Sequence, residues 1–165
     1  KDFTIMVADR EFKVHKLFFA IRSKTFAELI KKNPKAKELR LEDIPVEVFE
    51  CILSYMYSDE LPETQNMLEL FKTAGILKIS GLMNITSDFL LTTIANEKDL
   101  EVLYKILCLA NKYDYEMLKL KAFAHIKKHF PHKNLKVELA SQPEKLKTLI
   151  DTKLLIEKQL EGLEI

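Results

Sequence analysis

The chain has 165 residues, with 26 lysines and arginines against 25 aspartates and glutamates, for a formal net charge of +1. Because the charges are so evenly balanced, the chain has no general attraction to nucleic acid or to an anionic membrane, and we expect neither as a partner. With three glycines and two cysteines, the sequence has no Gly-rich phosphate loop and no disulfide framework, which favours a reducing compartment.

Two short strands are predicted at the start of the chain. Phe3, Ile5 and Val7 alternate with other positions in the pattern of a strand that has one buried face. Residues 11–14 repeat this alternation, and Asp9-Arg10 between the two segments suits a turn. The segment therefore predicts a β-hairpin.

The apolar period changes after the hairpin. From Leu17 onward apolar residues recur every three or four positions, which predicts helical structure that ends at Asn33-Pro34. A short strand over 39–41 follows, and Pro45 then starts a helix that runs to Tyr57. The first part of the chain thus combines a small sheet with helices.

The rest of the chain has a helical pattern. The apolar spacing predicts helices at 64–75, 79–94, 98–112, 115–130 and 143–162. An internal repeat lies in this region, because the segment 74–90 aligns at a constant offset with the segment 110–126. Each copy predicts a helix, a tight corner and a second helix, a unit that needs a neighbour to cover its apolar stripe.

No constellation in the sequence points to catalysis. Cys51 and Cys108 lie in apolar helical segments without a neighbouring base, which favours structural thiols. His125, His129 and His132 have the spacing with which a helix can present imidazoles to zinc, but a solvated basic helix end is the favoured alternative. We therefore expect a protein that is not an enzyme and has no catalytic residues, no cofactor and no metal.

The order of hairpin, two helices, strand and helix resembles a BTB/POZ domain. Five motifs carry the resemblance: D-F-T at Asp2–Thr4, F-x-V-H-K at Phe12–Lys16, R-S-x-x-F at Arg22–Phe26, L-x-D-I-P-x-x-V-F at Leu41–Phe49 and Y-M-Y at Tyr55–Tyr57. The resemblance implies an α+β fold with a BTB/POZ unit over residues 1–80, which binds other proteins and catalyses nothing.

The second half resembles the BACK, or three-box, helices that follow BTB domains in cullin adaptors. This resemblance is carried by Ile106–Tyr113, Leu118–Ala122 and Ile126–His129, and Ser141–Pro143 is similar to an S-x-P motif of the speckle-type POZ protein (MATH-BTB) group. It implies a BACK-like helical extension over 81–165 and a substrate adaptor or scaffold of a cullin-3 RING E3 ubiquitin ligase, located in the nucleus and/or cytoplasm. A domain outside this chain, such as a MATH domain, would hold the substrate protein.

The resemblance also assigns residues to a homodimer interface. Asp2 and Lys16 match positions that line a charged pocket near the interface, and Phe18 matches an apolar interface residue. From the residues alone two alternatives stay open: Asp2 and Lys16 as solvent-exposed charges, and Phe18 as part of a stripe that faces the core. His15 is interpreted as a buried histidine that hydrogen-bonds to backbone and serves the fold.

The cullin-3 surface implied by the resemblance comprises Ile30, Glu38, Tyr57, Asp59 and Glu60. Adaptors of this family carry an apolar residue, any residue and then glutamate in the loop after the second helix, whereas this loop has four lysines and only Ala36-Lys37-Glu38 as a similar triplet. We therefore expect weaker cullin-3 binding than in typical adaptors. The alternative function is a homo-oligomerisation module of a nuclear or transcription-associated BTB protein that does not bind cullin, with higher oligomers formed through the C-terminal helices.

Overall fold

The computed structural model describes residues 1–130, and this part of the chain has the α+β fold that the sequence predicts. Its elements are β1 (Phe3–Val7), β2 (Arg10–Val14), α1 (Lys16–Arg22), α2 (Lys24–Lys32), β3 (Glu38–Leu41), α3 (Val46–Ser58), α4 (Met67–Leu77), α5 (Ser80–Ile94), α6 (Leu100–Lys112) and α7 (Glu116–His129). The predicted strands and helices up to residue 130 are confirmed to within a few residues at each end. The predicted helix 143–162 and the Ser141–Pro143 motif lie outside the described residues.

The three strands form one small sheet in the order β2-β1-β3. The central strand β1 runs antiparallel to β2 and parallel to β3. The hairpin turn is Ala8-Asp9 and not the predicted Asp9-Arg10, because Arg10 pairs with Val7 and so belongs to β2. A two-residue turn of this kind needs left-handed backbone, and Ala8 accordingly has a φ of 50°.

Residues Lys1–Asp88 form a first compact unit whose core contains aromatic rings from the sheet and from the helices. Phe3 of β1 meets Phe26 of α2 edge to face, with ring centroids 5.0 Å apart, and Phe19 of α1 lies 5.5 Å from Phe26. Phe49 of α3 is fully buried beside Phe19. Such aromatic pairs add about 0.5–1.5 kcal/mol each to the burial of apolar area, so these rings fix how the helices pack on the sheet.

Ser23 joins the corner between α1 and α2 to the end of α4. The side chain is fully buried, and its Oγ accepts a hydrogen bond from Phe26 N at 3.1 Å, which caps α2. The same hydroxyl donates to the carbonyl of Leu77 at 2.6 Å, while Thr25 Oγ1 donates to the carbonyl of Ile76 at 2.8 Å from a more exposed position. The corner therefore supplies donors to carbonyls at the end of α4.

Arg22 does the same for the end of α3. Its Nη1 donates to the carbonyls of Tyr55 at 3.0 Å and Met56 at 2.9 Å. Carbonyls in the last turn of a helix lack the full set of partners that interior carbonyls have. Arg22 and Ser23 of the R-S-x-x-F motif therefore cap the ends of two other helices.

The second compact unit starts at Phe89, and its described part extends to residue 130. Helices α6 and α7 pack against each other, and the fully buried apolar residues of these helices include Leu103, Ile106 and Leu118. His125 Nε2 of α7 lies 3.0 Å from the carbonyl of Glu97, which precedes α6. Across residues 1–130, no helix combines the length and the apolar character needed to cross a membrane.

The internal repeat predicted from the sequence is confirmed as two corners with the same backbone hydrogen bond. Ile79 N donates to the carbonyl of Ala74 at 3.0 Å, and Tyr115 N donates to the carbonyl of Ala110 at 2.8 Å. This bond is the signature of the Schellman helix ending, which needs a left-handed residue just past the helix, and both corners have one. Each copy is a helix, a corner and a second helix.

Replacing Ser23 with alanine should destabilise the protein by about 2 kcal/mol, because it removes the α2 cap and the donor to the Leu77 carbonyl in a buried site. Thr25→Ala is the matched control; it removes a similar bond where water can replace the hydroxyl, and should cost less than about 1 kcal/mol. Chemical denaturation followed by circular dichroism measures both losses. Equal losses in the two variants would contradict the special role of the buried cap.

Candidate protein-interaction site

The exposed side of α1 carries two large apolar side chains. Leu17 and Ile21 are 78% and 83% exposed, whereas Phe19 of the same helix is buried in the core. Residues four apart lie on the same side of a helix, so Leu17 and Ile21 form one surface, here called the α1 patch. The sequence-based choice of Phe18 as an interface residue did not include Leu17 and Ile21, although their i, i+4 spacing puts both on one side of a helix.

Phe18 lies at the edge of the α1 patch. Its ring stacks on Tyr57 at the end of α3, with centroids 4.9 Å apart and planes 12° from parallel, and the Arg22 guanidinium lies 5.6 Å from its centroid. The side chain is half-buried, so it belongs neither fully to the core nor fully to the exposed surface. Its role as a dimer contact stays a prediction.

Tyr57 also reaches the start of α1. Its hydroxyl accepts a hydrogen bond from the backbone N–H of His15 at 3.1 Å and lies 3.1 Å from His15 Nδ1. His15 is exposed, so the prediction of a buried histidine is wrong. The reason is that the inward position at the end of β2 is taken by Val14, while His15 leads into α1 and its ring faces Tyr57.

Asp2 and Lys16 meet at the start of α1 through the backbone and not as an ion pair. The Asp2 carboxylate accepts a hydrogen bond from Lys16 N–H at 2.9 Å, and so provides the cap that the His15 side chain does not give to α1. The Lys16 ammonium donates to the carbonyls of Pro34 and Ala36, the latter at 2.9 Å. Both charges therefore have partners, and their role in a dimer interface stays a prediction.

Three of the residues assigned to cullin-3 lie together at the end of α3. Tyr57 is in the last turn, Asp59 follows with left-handed backbone (φ 59°), and Glu60 is exposed beside it. The Arg22 guanidinium pairs with the Asp59 carboxylate. Helix α1 thus holds this turn in place.

The other two assigned residues flank the loop between α2 and β3. Ile30 is half-buried in α2, and Glu38 is the exposed first residue of β3. Within residues 1–130 the two groups of assigned residues share no hydrogen bond, ion pair or ring contact. The end of α2 and the loop that follows it are here called the lysine loop. This segment holds four exposed lysines that pair with no carboxylate of the described chain: Lys31, Lys32, Lys35 and Lys37.

Of the other candidates from the sequence, Cys51 is in α3, Cys108 is in α6, and His125 and His129 are in α7. His125 and His129 are neighbours on α7, with ring centroids 4.3 Å apart, and His132 lies outside the described residues. Cys51 and Cys108 are half-buried. Within residues 1–130 no group of three or more histidines, cysteines, aspartates and glutamates is placed to hold a metal ion.

Comparison with known proteins gives the family. A model of the BTB/POZ domain matches residues 1–94. The chain belongs to the BTB/POZ family. BTB/POZ domains are protein-interaction modules, and this one offers exposed apolar and charged side chains around α1 and the end of α3.

Known relatives of this BTB/POZ chain are longer proteins. Kelch-like protein 40b of Danio rerio is 30% identical over 54% of this chain and 15% of its own length. BTB/POZ and MATH domain-containing protein 5 of Arabidopsis thaliana is 30% identical over 76% of this chain and 27% of its own length. The solved BTB domain of human gigaxonin shares the fold, with a TM-score of 0.50 and 24% identity, over 53% of this chain and 75% of that one. The chain thus spans less than a third of these two curated relatives.

The Asp2 cap predicts a stability difference that depends on pH. The hydrogen bond from Lys16 N–H holds the pKa of Asp2 below its ordinary value, so folding favours the ionised carboxylate. Asp2→Ala should therefore lower the stability of this BTB/POZ domain at neutral pH. The difference in stability between the wild type and Asp2→Ala should be largest above about pH 5, and it should disappear as the pH falls through about 4 and below.

Thermal unfolding of wild type and Asp2→Ala between about pH 2 and about pH 7 measures this gap. Replacement of the exposed Glu63 with alanine is the control for loss of a carboxylate and should show no comparable gap. An Asp2→Ala gap that stays constant with pH would contradict the role of the ionised carboxylate.

Proposed function

We propose that this BTB/POZ protein acts without catalysis as a substrate adaptor or scaffold of a cullin-3 RING E3 ubiquitin ligase, in the nucleus and/or cytoplasm. The observation that carries the proposal is the exposed turn after α3, where Arg22 holds Asp59 beside Tyr57 and Glu60. A surface whose shape is fixed before binding loses less conformational entropy when a partner docks. In this proposal the turn is the preformed part of the cullin-3 surface.

The second half of the chain supports the adaptor role. The alignment with the MATH-containing relative covers 130 residues, and so extends beyond the segment 1–94 that matches the BTB/POZ model. In this proposal residues 81–165 form a BACK-like extension of a MATH-BTB adaptor, and a domain outside this chain holds the substrate. The gain comes from the proximity of substrate to a ubiquitin-charged enzyme and not from new chemistry.

The sequence of the lysine loop lowers the affinity that we expect for cullin-3. Ile30 is only half-exposed and Glu38 lies in β3, so neither replaces a loop motif of an apolar residue, any residue and glutamate. Loss of a central apolar anchor commonly costs about 2 kcal/mol, a factor of roughly 30 in affinity. The proposed complex is therefore weaker than that of an adaptor with the motif.

Lys35→Met together with Lys37→Glu should tighten binding of the N-terminal region of cullin-3 by roughly tenfold or more, because it supplies the apolar anchor and the glutamate. The loop should keep its shape, since Lys16 binds backbone carbonyls and not the replaced side chains. The scrambled control, Lys35→Glu with Lys37→Met, has the same composition in the wrong order and should not tighten binding. Isothermal titration calorimetry compares the three proteins; no detectable binding by any of them would sink the adaptor proposal.

The alternative function is a homo-oligomerisation module, and the α1 patch is the observation that favours it. Leu17 and Ile21 are both more than three-quarters exposed, and paired apolar side chains of this kind mark interaction surfaces. Phe18 borders the patch, and Asp2 and Lys16 meet at the first residue of the same helix. These five residues together form the proposed self-association surface.

Leu17→Asp with Ile21→Asp should shift dimers of the chain toward monomers, because each buried side chain contributes about 1.5–3 kcal/mol to an interface. Sedimentation velocity measures the shift, and circular dichroism should stay unchanged because both residues are exposed. Met117→Asp on α7, at a position that is 68% exposed, is the matched control. Dimers that survive the double substitution would contradict this interface.

A further inference from the structure

The hydroxyl of Tyr57 has two hydrogen-bond partners in the same residue, His15. The backbone N–H of His15 donates to Tyr57 Oη at 3.1 Å, and His15 Nδ1 lies 3.1 Å from the same oxygen. A backbone N–H can only donate, so the first bond always occupies one of the two lone pairs of the hydroxyl oxygen. Tyr57 is 43% exposed, so a partner that docks on the end of α3 can reach what remains of its bonding capacity.

Neutral His15 uses the hydrogen of the Tyr57 hydroxyl. A hydroxyl that already accepts one hydrogen bond is polarised and donates more strongly, which favours the direction from Tyr57 O–H to Nδ1. The proton of the imidazole is then on Nε2, where water can bind it because His15 is exposed. In this state the hydroxyl keeps one lone pair and no hydrogen, so it can only accept a hydrogen bond from a partner.

Protonated His15 reverses the second bond. Both ring nitrogens then carry hydrogen, so Nδ1–H donates to Tyr57 Oη beside the backbone N–H. The two lone pairs of the oxygen are occupied and its own hydrogen is released. In this state the hydroxyl can only donate to a partner, although the number of hydrogen bonds between His15 and Tyr57 is unchanged.

The charged groups around this pair come from the start of the chain, from α1 and from the turn after α3: Asp2, Lys16, Arg22 and Asp59. The pKa of Asp2 is lowered chiefly by the hydrogen bond from Lys16 N–H, and to a smaller extent by the positive form of His15. Asp2 therefore stays ionised over the range in which imidazoles titrate, and only the charge of His15 changes there.

We propose that His15 sets the hydrogen-bond polarity of the cullin-3 surface at Tyr57, so that with neutral His15 the bound partner must offer a hydrogen-bond donor to the Tyr57 hydroxyl. The inference rests on the proposed function, in which Tyr57 belongs to that surface, and it adds the chemistry of one contact and its regulation. A donor that meets Tyr57 after His15 is protonated finds no lone pair, and the contact is lost.

Binding of the N-terminal region of cullin-3, measured by isothermal titration calorimetry, tests the contact. The affinity of the wild type should fall about fivefold between about pH 8 and about pH 6, the effect of one lost hydrogen bond. In His15→Ala the hydroxyl is free to accept or to donate, and the affinity should change by less than about twofold over the same range. Tyr57→Phe has no hydroxyl and should bind about fivefold more weakly than the wild type at about pH 8, with little dependence on pH.

His129→Ala is the matched control, because it removes another exposed histidine, on α7, and should keep the pH dependence of the wild type. Circular dichroism of the three variants checks that each is folded. Because histidines of cullin-3 titrate in every mixture, the decisive quantity is the difference in pH dependence between the wild type and His15→Ala.

Long-range proton–nitrogen NMR of the histidine side chains tests the origin of the effect without a partner. At about pH 8 the proton of His15 should be on Nε2, and the Nδ1 resonance should shift in Tyr57→Phe, where the bond from the hydroxyl is lost. A neutral His15 with its proton on Nδ1 would overturn the inference at this step.

The binding data separate this inference from the proposed function. Cullin-3 binding whose pH dependence is the same in the wild type and His15→Ala, or binding that His15 strengthens as the pH falls, would overturn the donor requirement and leave the adaptor role standing. A chain that binds no cullin-3 at any pH would remove the adaptor role and the donor requirement together.

Discussion

Carbonyl groups at the ends of α3 and α4 need hydrogen-bond donors, and the corner that supplies them fixes the position of α1. Arg22 donates to two carbonyls of α3, and Ser23 donates to one of α4 from a fully buried site. A buried polar group that loses its partner costs about 1–3 kcal/mol, so the corner cannot move without losing several bonds at once. With α1 held in this way, Phe19 enters the core, and Leu17 and Ile21 face solvent.

The features proposed for binding are all attached to this one short helix. Lys16 holds the lysine loop, Phe18 stacks on Tyr57, and Arg22 holds the turn after α3 through Asp59. Because the three attachments lie along one helix, the apolar and charged parts of the surface keep a fixed spacing in this BTB/POZ domain.

The regular elements could be predicted from the sequence because their signals are local: alternation in β1, three-to-four spacing in the helices and the repeat that gives two similar corners. Phe18 could not be placed in this way, since its half-buried position depends on Tyr57, a residue distant in the chain. The exposure of His15 follows from the alternation along β2, which gives the inward position to Val14. The R-S-x-x-F motif could be recognised as a family marker, but its role as a cap depends on where α3 and α4 end in space. For the α1 patch, the spacing of Leu17 and Ile21 predicts that they share one side of the helix, but that this side faces solvent is known only from the burial of Phe19 in the core.

The left-handed positions of the described chain are occupied without glycine. Within residues 1–130 they are Ala8, Asp43, Asp59, Lys78 and Asp114, and no glycine there has a positive φ. An L-residue in this conformation is strained by about 1–2 kcal/mol relative to the ordinary backbone, because its Cβ approaches a carbonyl oxygen. Four of the five side chains are charged and exposed, so each such turn keeps a charge on the surface where glycine would leave bare backbone. The chain thus accepts some backbone strain at its turns and keeps charged, hydrated side chains there, which disfavours nonspecific association through the turns.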